Sequence, residues 1–449
     1  MKVRFAPSPT GYIHVGNCRT ALINWLFARK HQGTFLLRLD DTDIDRCDDK
    51  YVQALLEDWS WLGLNFDEYV KQSDRGDLYN DALETLRKAG RLYPCYETAE
   101  ELEYKRKMQL KRGLPPIYDR ESLTLSEAQK AAYAAEGRKP HWRFLLHDTS
   151  IEWNDLVRGP THFEGAHLSD PVLVRENGAF IYILASVVDD LDLNITHILR
   201  GEDHVSNTAI QLQLIEALGA DPKSLQFAHL PLLAGEKGEA LGKRLGSLSI
   251  GDLRKQGILP MAINSLLGKI GTSDAVEPYT NLDDLVASFD IDKFARSTPK
   301  FALDHLLQMN KKIIQETPFD VALQYIDLPE MDETFWNGVR HNVESLDEVK
   351  TWWTICHCEG DGTVQEEDKS YIAEALNLLP NGPWTQNPWD QWIQSLTAAT
   401  QRKGKSLYMP LRLALTGQEH GPELKIIIML LGHDLVRAKL QQAGHHAPL

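Results

Sequence analysis

Residues 4–17 read RFAPSPTGYIHVGN and lead from a predicted strand, Lys2 to Ala6, through a proline-fixed loop into a helix. Outward from this loop, the spacing of apolar residues predicts a helix over Thr20 to Lys30, a strand over Thr34 to Leu39 and a helix over Asp49 to Leu62. Such alternation predicts a parallel sheet, whose ligands bind beyond the carboxyl ends of the strands. The loops after these two strands are therefore the candidate site.

The pattern changes after residue 92. Charged helical stretches and short aromatic segments between 93 and 178 indicate an inserted subdomain, so we expect one sheet that the insertion interrupts. Beyond Lys243 the three- and four-residue spacing of apolar side chains predicts mainly helices. Between these regions the alternation resumes with Ala179 to Ser186 and Ile195 to Arg200, then a helix over Val205 to Leu218 and a strand near Leu225 to Leu233.

Composition limits the class of protein. With 43% hydrophobic and 25% charged residues, the 449-residue chain matches ordinary globular usage and is long enough for two or three domains. No run approaches the ~20 apolar residues of a membrane span, and prolines interrupt the N-terminus where a secretory signal needs an apolar stretch. The five cysteines show no disulfide framework. We therefore expect a cytoplasmic protein that does not bind membranes.

The charge of the chain leaves an RNA partner open. A net charge of −16 disfavours nonspecific coating of nucleic acid, which normally requires a basic surface. An acidic enzyme can still bind RNA if its lysines and arginines collect on one face. Composition therefore neither supports nor excludes RNA.

The geometry of the 4–17 loop suits a phosphate. The backbone N–H groups of Gly16 and Asn17, at the positive end of the following helix, would face an anion, and His14 would add a donor. For an isolated histidine near a helix start, simple capping of the helix would be the better interpretation. The surrounding residues favour binding.

This loop resembles the HIGH signature of class I aminoacyl-tRNA synthetases, in the FAPSPTG-x-x-HxGN form of the glutamyl branch, with Asn17 in place of the second histidine. A second signature of that family, the KMSKS loop, has its best match at residues 240–244, ALGKR, where Lys243 and Arg244 supply the cations. The resemblance implies His14 and Lys243 as catalytic residues. It implies an ATP site made by Thr10, His14, Gly16, Asn17, Lys243 and Arg244. A P-loop does not fit, because Gly238 is one position too close to the lysine.

The resemblance also implies a glutamate site. Arg4 is expected to read the side-chain carboxylate, as the planar fork of arginine suits that task, with Ser8 assisting. Arg200 matches a family position near the substrate carboxylate, and Asp40, where the family usually has Glu, is expected to bind the amino group. Tyr182 and Ser186 belong to a further segment that matches the wall of the substrate site.

Four regions are expected by resemblance. Residues 1–92 and 179–245 would form a Rossmann-like catalytic domain, and 93–178 an inserted subdomain that binds the acceptor stem. Residues 246–310 would form a helical stem-contact region and 311–449 a helical anticodon-binding region.

The implied reaction is ATP-dependent activation of L-glutamate to glutamyl-adenylate, followed by transfer to the 3′ end of tRNA(Glu). Whether tRNA(Gln) is charged as well depends on anticodon contacts that the sequence does not identify. ATP enters as a substrate with Mg²⁺, and the family is usually monomeric. No structural zinc is expected, because Cys95-Tyr96-Glu97 replaces the Cys-x-Cys of zinc-binding members and Cys356-His357-Cys358 lacks a second ligand pair.

Two alternatives have other functions. One is a truncated relative that glutamylates a modified anticodon base, but such proteins lack the helical C-terminal region. The other is a catalytically silent RNA-binding relative, suggested by Ala240 and Gly242 in the second signature and disfavoured by the presence of His14 and Lys243.

Overall fold

The computed structural model describes residues 1–43, 46–239, 249–360 and 362–445. The chain divides into two compact units. The first comprises Met1–Asp252 with Asn264–Ala302, and the second comprises Leu253–Ile263 with Leu303–Leu449.

A parallel sheet begins the first unit. Its strands are β1 (Lys2–Phe5), β2 (Thr34–Leu39) and β3 (Glu68–Lys71), with β2 in the middle. Helix α1 (Val15–Lys30) connects β1 to β2, and α2 (Asp49–Trp61) connects β2 to β3. The last five residues of β2, FLLRL, are all buried, as expected for a parallel strand covered on both faces. The predicted order of these elements is confirmed.

The inserted region contains antiparallel structure. Helix α3 (Gly76–Lys88) leads into it. In chain order its elements are β4 (Leu92–Cys95), α4 (Ala99–Lys111), α5 (Glu127–Ala135), β5 (His141–Phe144), β6 (Ser150–Asp155), β7 (Gly159–Glu164) and β8 (Val172–Val174). Strands β4, β5 and β8 form a separate antiparallel sheet with β5 in the middle, and β6 and β7 form a hairpin.

Parallel pairing returns after the insertion. Strand β10 (Gln226–Leu230) lies between β9 (His197–Gly201) and β6 and is parallel to both, in the order β7-β6-β10-β9. The amide of Thr196 donates to the carbonyl of Lys2 at 2.9 Å, which brings the start of β9 beside β1. The elements are α6 (Tyr182–Asp192), β9 (His197–Gly201), α7 (Val205–Ala217) and β10 (Gln226–Leu230).

Two features differ from the prediction. The expected single sheet consists of two ladders, one containing β1 and the other containing β9, which meet at Lys2 and Thr196. The alternation resumes with a helix rather than a strand, because α6 begins at Tyr182, within the segment Ala179 to Ser186. Apolar runs as short as this one fit a buried helix as well as a strand.

Aromatic packing fixes α2 against the sheet. The ring of Trp59, which is 2% exposed, stacks on Phe5 and Phe35, with centroid distances of 6.0 and 5.6 Å. Trp59 of α2 thus packs against both β1 and β2.

The remaining described elements are helical. None of the helices in the described ranges is long and apolar enough to cross a bilayer. The final helix has a kink at Gly432, where φ is 72°. The helices are α8 (Ile250–Lys255), α9 (Pro260–Lys269), α10 (Leu282–Ala287), α11 (Leu303–Glu316), α12 (Phe319–Ala322), α13 (Glu333–Val339), α14 (Leu346–His357), α15 (Lys369–Asn377), α16 (Trp389–Thr400), α17 (Lys405–Thr416) and α18 (Leu424–His445).

Candidate active site

A cavity of about 580 Å³ lies in the first unit, at the carboxyl ends of β1, β2, β9 and β10 and at the start of α1. This is the edge at which parallel sheets bind ligands. Eight residues predicted to bind ATP or glutamate line it, namely Arg4, Ser8, His14, Gly16, Asn17, Asp40, Tyr182 and Arg200. Twelve more complete the lining: Phe5, Ala6, Arg19, Thr20, Leu199, Gly201, Asp203, His204, Leu230, Pro231, Leu232 and Leu233.

His14 both caps α1 and faces the cavity. Its Nδ1 accepts hydrogen bonds from the amides of Gly16 at 3.1 Å and Asn17 at 3.4 Å, so α1 begins at Val15 rather than at Thr20. The capping interpretation is therefore correct, and the two amides expected to face an anion already have a partner. Partial removal from water lowers the pKa of His14, which favours the neutral ring. Because Nδ1 accepts, the proton of the neutral ring lies on Nε2, which has no hydrogen-bond partner among the described residues.

A buried network of charges supports the β1 and β2 side of the cavity. Arg4 donates to both carboxylate oxygens of Asp190, at 3.0 and 3.2 Å. Arg38 donates to Asp40 at 2.7 and 3.2 Å and to Asp190 at 2.9 Å. Burial disfavours ionisation of Asp190, yet Arg4 and Arg38 hold its pKa below the usual range. Both cations on this side are thus matched by carboxylates.

Arg200, on the β9 and β10 side, has a different environment. It is 5% exposed, and burial lowers its pKa. Its hydrogen bonds go to neutral groups: Tyr182 Oη at 3.2 Å, Thr208 Oγ1 at 2.6 Å, Gln211 Oε1 at 2.7 Å and His229 Nε2 at 3.2 Å. Within the described ranges no carboxylate forms a salt bridge with this guanidinium. A buried cation at the wall of a cavity, with no carboxylate partner in the described part of the chain, has the charge and placement that suit an anionic ligand.

Behind Arg200 lies a fully buried pair, His229 and Asp155. Nδ1 of His229 is 2.5 Å from Asp155 Oδ2, while Asp155 Oδ1 accepts from the amides of Val157, Arg158 and His229 at 3.0, 2.9 and 3.1 Å. Burial lowers the pKa of His229. Burial opposes ionisation of Asp155, but the hydrogen bond from His229 keeps the pKa of Asp155 low. The pair is therefore a carboxylate and a neutral imidazole.

Two predicted site residues lie outside the cavity lining. Ser186 is 0% exposed on α6 and accepts a hydrogen bond from Gln211 at 2.9 Å. Gln211 in turn accepts from Arg200, so Ser186 is connected to the cavity only indirectly, through these two residues. Thr10 is exposed, and its amide donates to the carbonyl of Ser8 at 2.9 Å. Ser8 itself is exposed at the cavity rim.

Three basic residues near the cavity were not predicted. Arg38 supports Asp40, Arg19 donates to the carbonyls of Pro231 and Ile270 at 2.8 and 3.2 Å, and His204 packs against Tyr182 with ring centroids 5.5 Å apart. Burial lowers the pKa of Arg19 to about 10. The sequence did contain a signal for Arg38: it is a charged residue within the apolar strand TFLLRL. An unpaired charge is costly in a buried strand, so its presence there indicates a carboxylate partner.

Lys243 and Arg244 lie outside the described residues, but the segments on either side of them border the cavity. Leu233 lines the cavity before them. After them, Ser249 pairs with His14 as an isolated antiparallel bridge, and the amide of Ile250 donates to the carbonyl of Ile13 at 3.0 Å.

The cysteine segments offer no clear metal site in the described part of the chain. Cys95 is buried, and Glu97 accepts hydrogen bonds from Tyr118 at 2.6 Å and Ser122 at 2.7 Å. Glu97, Asp119 and Glu121 are close enough to share an ion, but Lys105 already forms ion pairs with all three. Cys356 is buried and Cys358 exposed.

Residues 1–308 match the family described as tRNA synthetases class I (E and Q), catalytic domain, and residues 359–444 match an anticodon binding domain. The chain belongs to this class I tRNA synthetase family, as its two signatures and mixed α/β fold predicted.

Two relatives that match over nearly the full length are both named as glutamate–tRNA ligases. A protein of Chelativorans sp. (strain BNC1) named glutamate–tRNA ligase 1 is 50% identical over 452 residues, covering 97% of this chain and 99% of the relative. A glutamate–tRNA ligase of Azospirillum brasilense is 50% identical over 449 residues, covering 99% of each. A crystal structure of a glutamate tRNA ligase from Elizabethkingia meningosepticum, in complex with its amino acid, has a TM-score of 0.84 and 26% identity over 99% of both chains.

Proposed function

We propose that this protein is a glutamate–tRNA ligase, which activates L-glutamate with ATP and transfers it to the 3′ end of tRNA(Glu). The observation that carries the proposal is Arg200, a buried cation at the cavity wall whose described partners are all neutral. The full-length relatives named for the same reaction support it. Their coverage includes the helical C-terminal part, which disfavours the truncated relative that modifies an anticodon base.

In the first step, an oxygen of the glutamate α-carboxylate attacks the α-phosphorus of ATP, and the bond from that phosphorus to the bridging oxygen of pyrophosphate breaks. No protein nucleophile is required, so catalysis consists of alignment and stabilisation of charge. His14 would donate from Nε2 to a phosphate oxygen. Mg²⁺ would accompany the phosphates, since Asp40, one of the two acids lining the cavity, is already bound by Arg38.

Glutamate would lie between the two arginine environments. Arg200 would bind the α-carboxylate, assisted by Tyr182, while the remaining amino group of Arg4 would reach the side-chain carboxylate near Ser8. Asp40 would receive the amino group, because each carboxylate oxygen has lone pairs beyond those used by Arg38. Ser186 would act indirectly, through Gln211.

Lys243 and Arg244 would stabilise the leaving pyrophosphate. Lys243 lies six positions before Ser249, and such a stretch spans at most about 20 Å when extended. Because Ser249 pairs with His14, the lysine is within chain reach of the cavity. Thr10, Gly16 and Asn17 would complete the ATP site.

The second unit would bind tRNA, as expected for its anticodon domain match. Residues 391–449 contain seven lysines or arginines and three acidic residues. Residues 303–390 contain five lysines or arginines and seventeen acidic residues. Tyr408, in the basic stretch, is 42% exposed, and its ring stacks at 6.2 Å on that of Trp389, just before the stretch. Exposed aromatic rings beside lysines suit unpaired bases and their phosphates. The four-region division, a monomeric state and a cytoplasmic location complete the proposal.

Glutamate-dependent exchange of pyrophosphate into ATP, with tRNA present, tests the proposal directly. We expect exchange with glutamate and much less with glutamine or aspartate. Activity without added amino acid, or equal activity with all three, would contradict the proposal. Charging of purified tRNA(Glu) and tRNA(Gln) then decides the acceptor.

The Lys243→Ala substitution tests the second signature. Removal of a cation that acts mainly in the transition state should lower exchange on the order of 100-fold or more while KM for glutamate stays similar. The exposed Lys237 provides a matched control, and Lys237→Ala should retain activity. Near-normal exchange by Lys243→Ala would remove this residue from the mechanism.

The Tyr408→Ala substitution tests the tRNA surface. Loss of one base stack should weaken tRNA binding to the full chain about 10-fold or more in a filter assay. Tyr325, 37% exposed in the acidic part of the second unit, is the control. Equal affinities for the two variants would place tRNA elsewhere.

A further inference from the structure

The pair Asp155 and His229 suggests a role beyond the cavity lining. Neither side chain lines the cavity, and both are fully buried. Burying a carboxylate is costly unless it is paired and hydrogen-bonded, and here His229 and three backbone amides supply those partners. His229 contacts Arg200, the residue that carries the proposed function, and Asp155 contacts His229, so the pair is connected to the proposed ligand site.

The hydrogen bonds define the tautomer of His229. The Nε of Arg200 can only donate, and it lies 3.2 Å from Nε2 of His229, so Nε2 must be the unprotonated acceptor. The proton then lies on Nδ1, which points at Asp155 Oδ2 at 2.5 Å. Thr208 Oγ1 also contacts Nε2, at 2.9 Å. The opposite tautomer would put two donors face to face.

The orientation of Asp155 is equally defined. Three backbone amides donate to its Oδ1, which leaves Oδ2 for the ring of His229. Asp155 is the last residue of β6, in the inserted segment, and His229 lies on β10. The inserted hairpin thus supplies the group that orients a residue behind the cavity.

We infer that Asp155 and His229 are positioning residues for glutamate: Asp155 selects the His229 tautomer whose Nε2 holds the guanidinium of Arg200 toward the cavity. This inference rests on the proposed function, in which Arg200 binds a substrate carboxylate. The charge of Asp155 reaches Arg200 only through a neutral ring. Nη1 has two N–H groups; one donates to Tyr182 Oη at 3.2 Å, and the second has no partner among the described residues and can reach the ligand.

The Asp155→Asn substitution tests the inference. Because the backbone amides hold the oxygen at the Oδ1 position, the new NH₂ group must face Nδ1 of His229. The ring then adopts the other tautomer, and Nε2–H opposes the Nε–H of Arg200. We expect KM for glutamate to rise about 10- to 100-fold in the exchange assay, while KM for ATP and the rate at saturating glutamate change little.

Substitution of His229 provides the rescue. In His229→Gln the amide oxygen can accept from Arg200 without help from residue 155, whereas the shorter Asn in His229→Asn cannot reach. We therefore expect Asp155→Asn to raise KM for glutamate in the wild-type background and to have no further effect in the His229→Gln background. Asp148→Asn, an exposed change in the same inserted region, is the control.

The outcomes separate the two proposals. No glutamate-dependent exchange by the wild-type protein refutes the proposed function. Exchange by the wild type, with KM for glutamate unchanged in Asp155→Asn or raised equally in both backgrounds, refutes only the positioning role. If Asp155→Asn does not fold, as judged by circular dichroism, His229→Gln and His229→Asn decide: equal KM values for glutamate overturn the inference.

Discussion

The buried arginines on the two sides of the cavity differ in the charge of their hydrogen-bond partners. On the β1 and β2 side, Arg4 and Arg38 share the carboxylates of Asp190 and Asp40. On the β9 and β10 side, Arg200 is surrounded by a phenol, a hydroxyl, an amide and a neutral imidazole. The first side is neutralised by the protein itself, whereas the second still lacks an anion among its described partners.

This difference assigns different tasks to the two sides. An arginine already in a bidentate pair has little left to gain from a ligand, so under the proposed function Arg4 would add specificity through the one amino group that has no hydrogen bond among the described residues. Arg200 would gain its first carboxylate when glutamate binds, and would therefore be the main source of affinity. The substrate would then complete the charge balance of the site.

The largest expected effect is that of Arg200→Ala. Loss of a buried, charge-assisted contact should raise KM for glutamate on the order of 100- to 1,000-fold in the exchange assay. Since the α-carboxylate is common to glutamate and glutamine, the residual activity with either amino acid should fall alike. A selective loss with glutamate alone would instead assign Arg200 to the side-chain carboxylate.

Arg4→Ala should have a smaller effect on affinity and a larger effect on selection. We expect a loss of about 10- to 100-fold with glutamate and little change with glutamine, so that discrimination between them disappears. Steady-state exchange with each amino acid measures the ratio. If discrimination between glutamate and glutamine is unchanged, Arg200 rather than Arg4 recognises the side-chain carboxylate. The tasks assigned to the two sides of the cavity would then be exchanged.

The position of the cavity and several of its lining residues could be predicted from the sequence. The loop at 4–17 and the strand at Thr34–Leu39 located the correct edge of the sheet, because parallel strands place their carboxyl ends together. Arg4, Asp40, Tyr182 and Arg200 do line one cavity, although they lie up to 196 positions apart in the chain.

The partners of these residues could not be predicted. Nothing local in the sequence links Arg4 to Asp190 or Arg200 to His229, because these contacts depend on how β9, β10 and α6 pack after an insertion. Arg38 was overlooked inside an apolar strand, and His14 was expected to leave the amides of Gly16 and Asn17 free, although it caps them. Side-chain pairing across elements is a tertiary property that periodicity does not encode.

The smallest expected effect is on protein stability. It concerns Asp190, on the β1 and β2 side of the cavity, where carboxylates neutralise the arginines. The pKa of Asp190 is lower in the folded protein than in the unfolded chain, because Arg4 and Arg38 outweigh the burial of the carboxyl. Its stabilising contribution is therefore complete above the unfolded pKa, near 4, and is lost as the pH falls through the folded pKa. Asp190→Asn should melt at a lower temperature than the wild type at pH 7, and the difference should narrow below about pH 4.

Melting curves of the full chain over a pH series provide the measurement, with the exposed Asp81→Asn as the matched control. The control should follow the wild type at every pH. A difference between Asp190→Asn and the wild type that stays constant on acidification would mean that Asp190 contributes by shape rather than by charge. Asp190 would then not neutralise Arg4, and the arginines on both sides of the cavity would lack an anionic partner until a ligand binds.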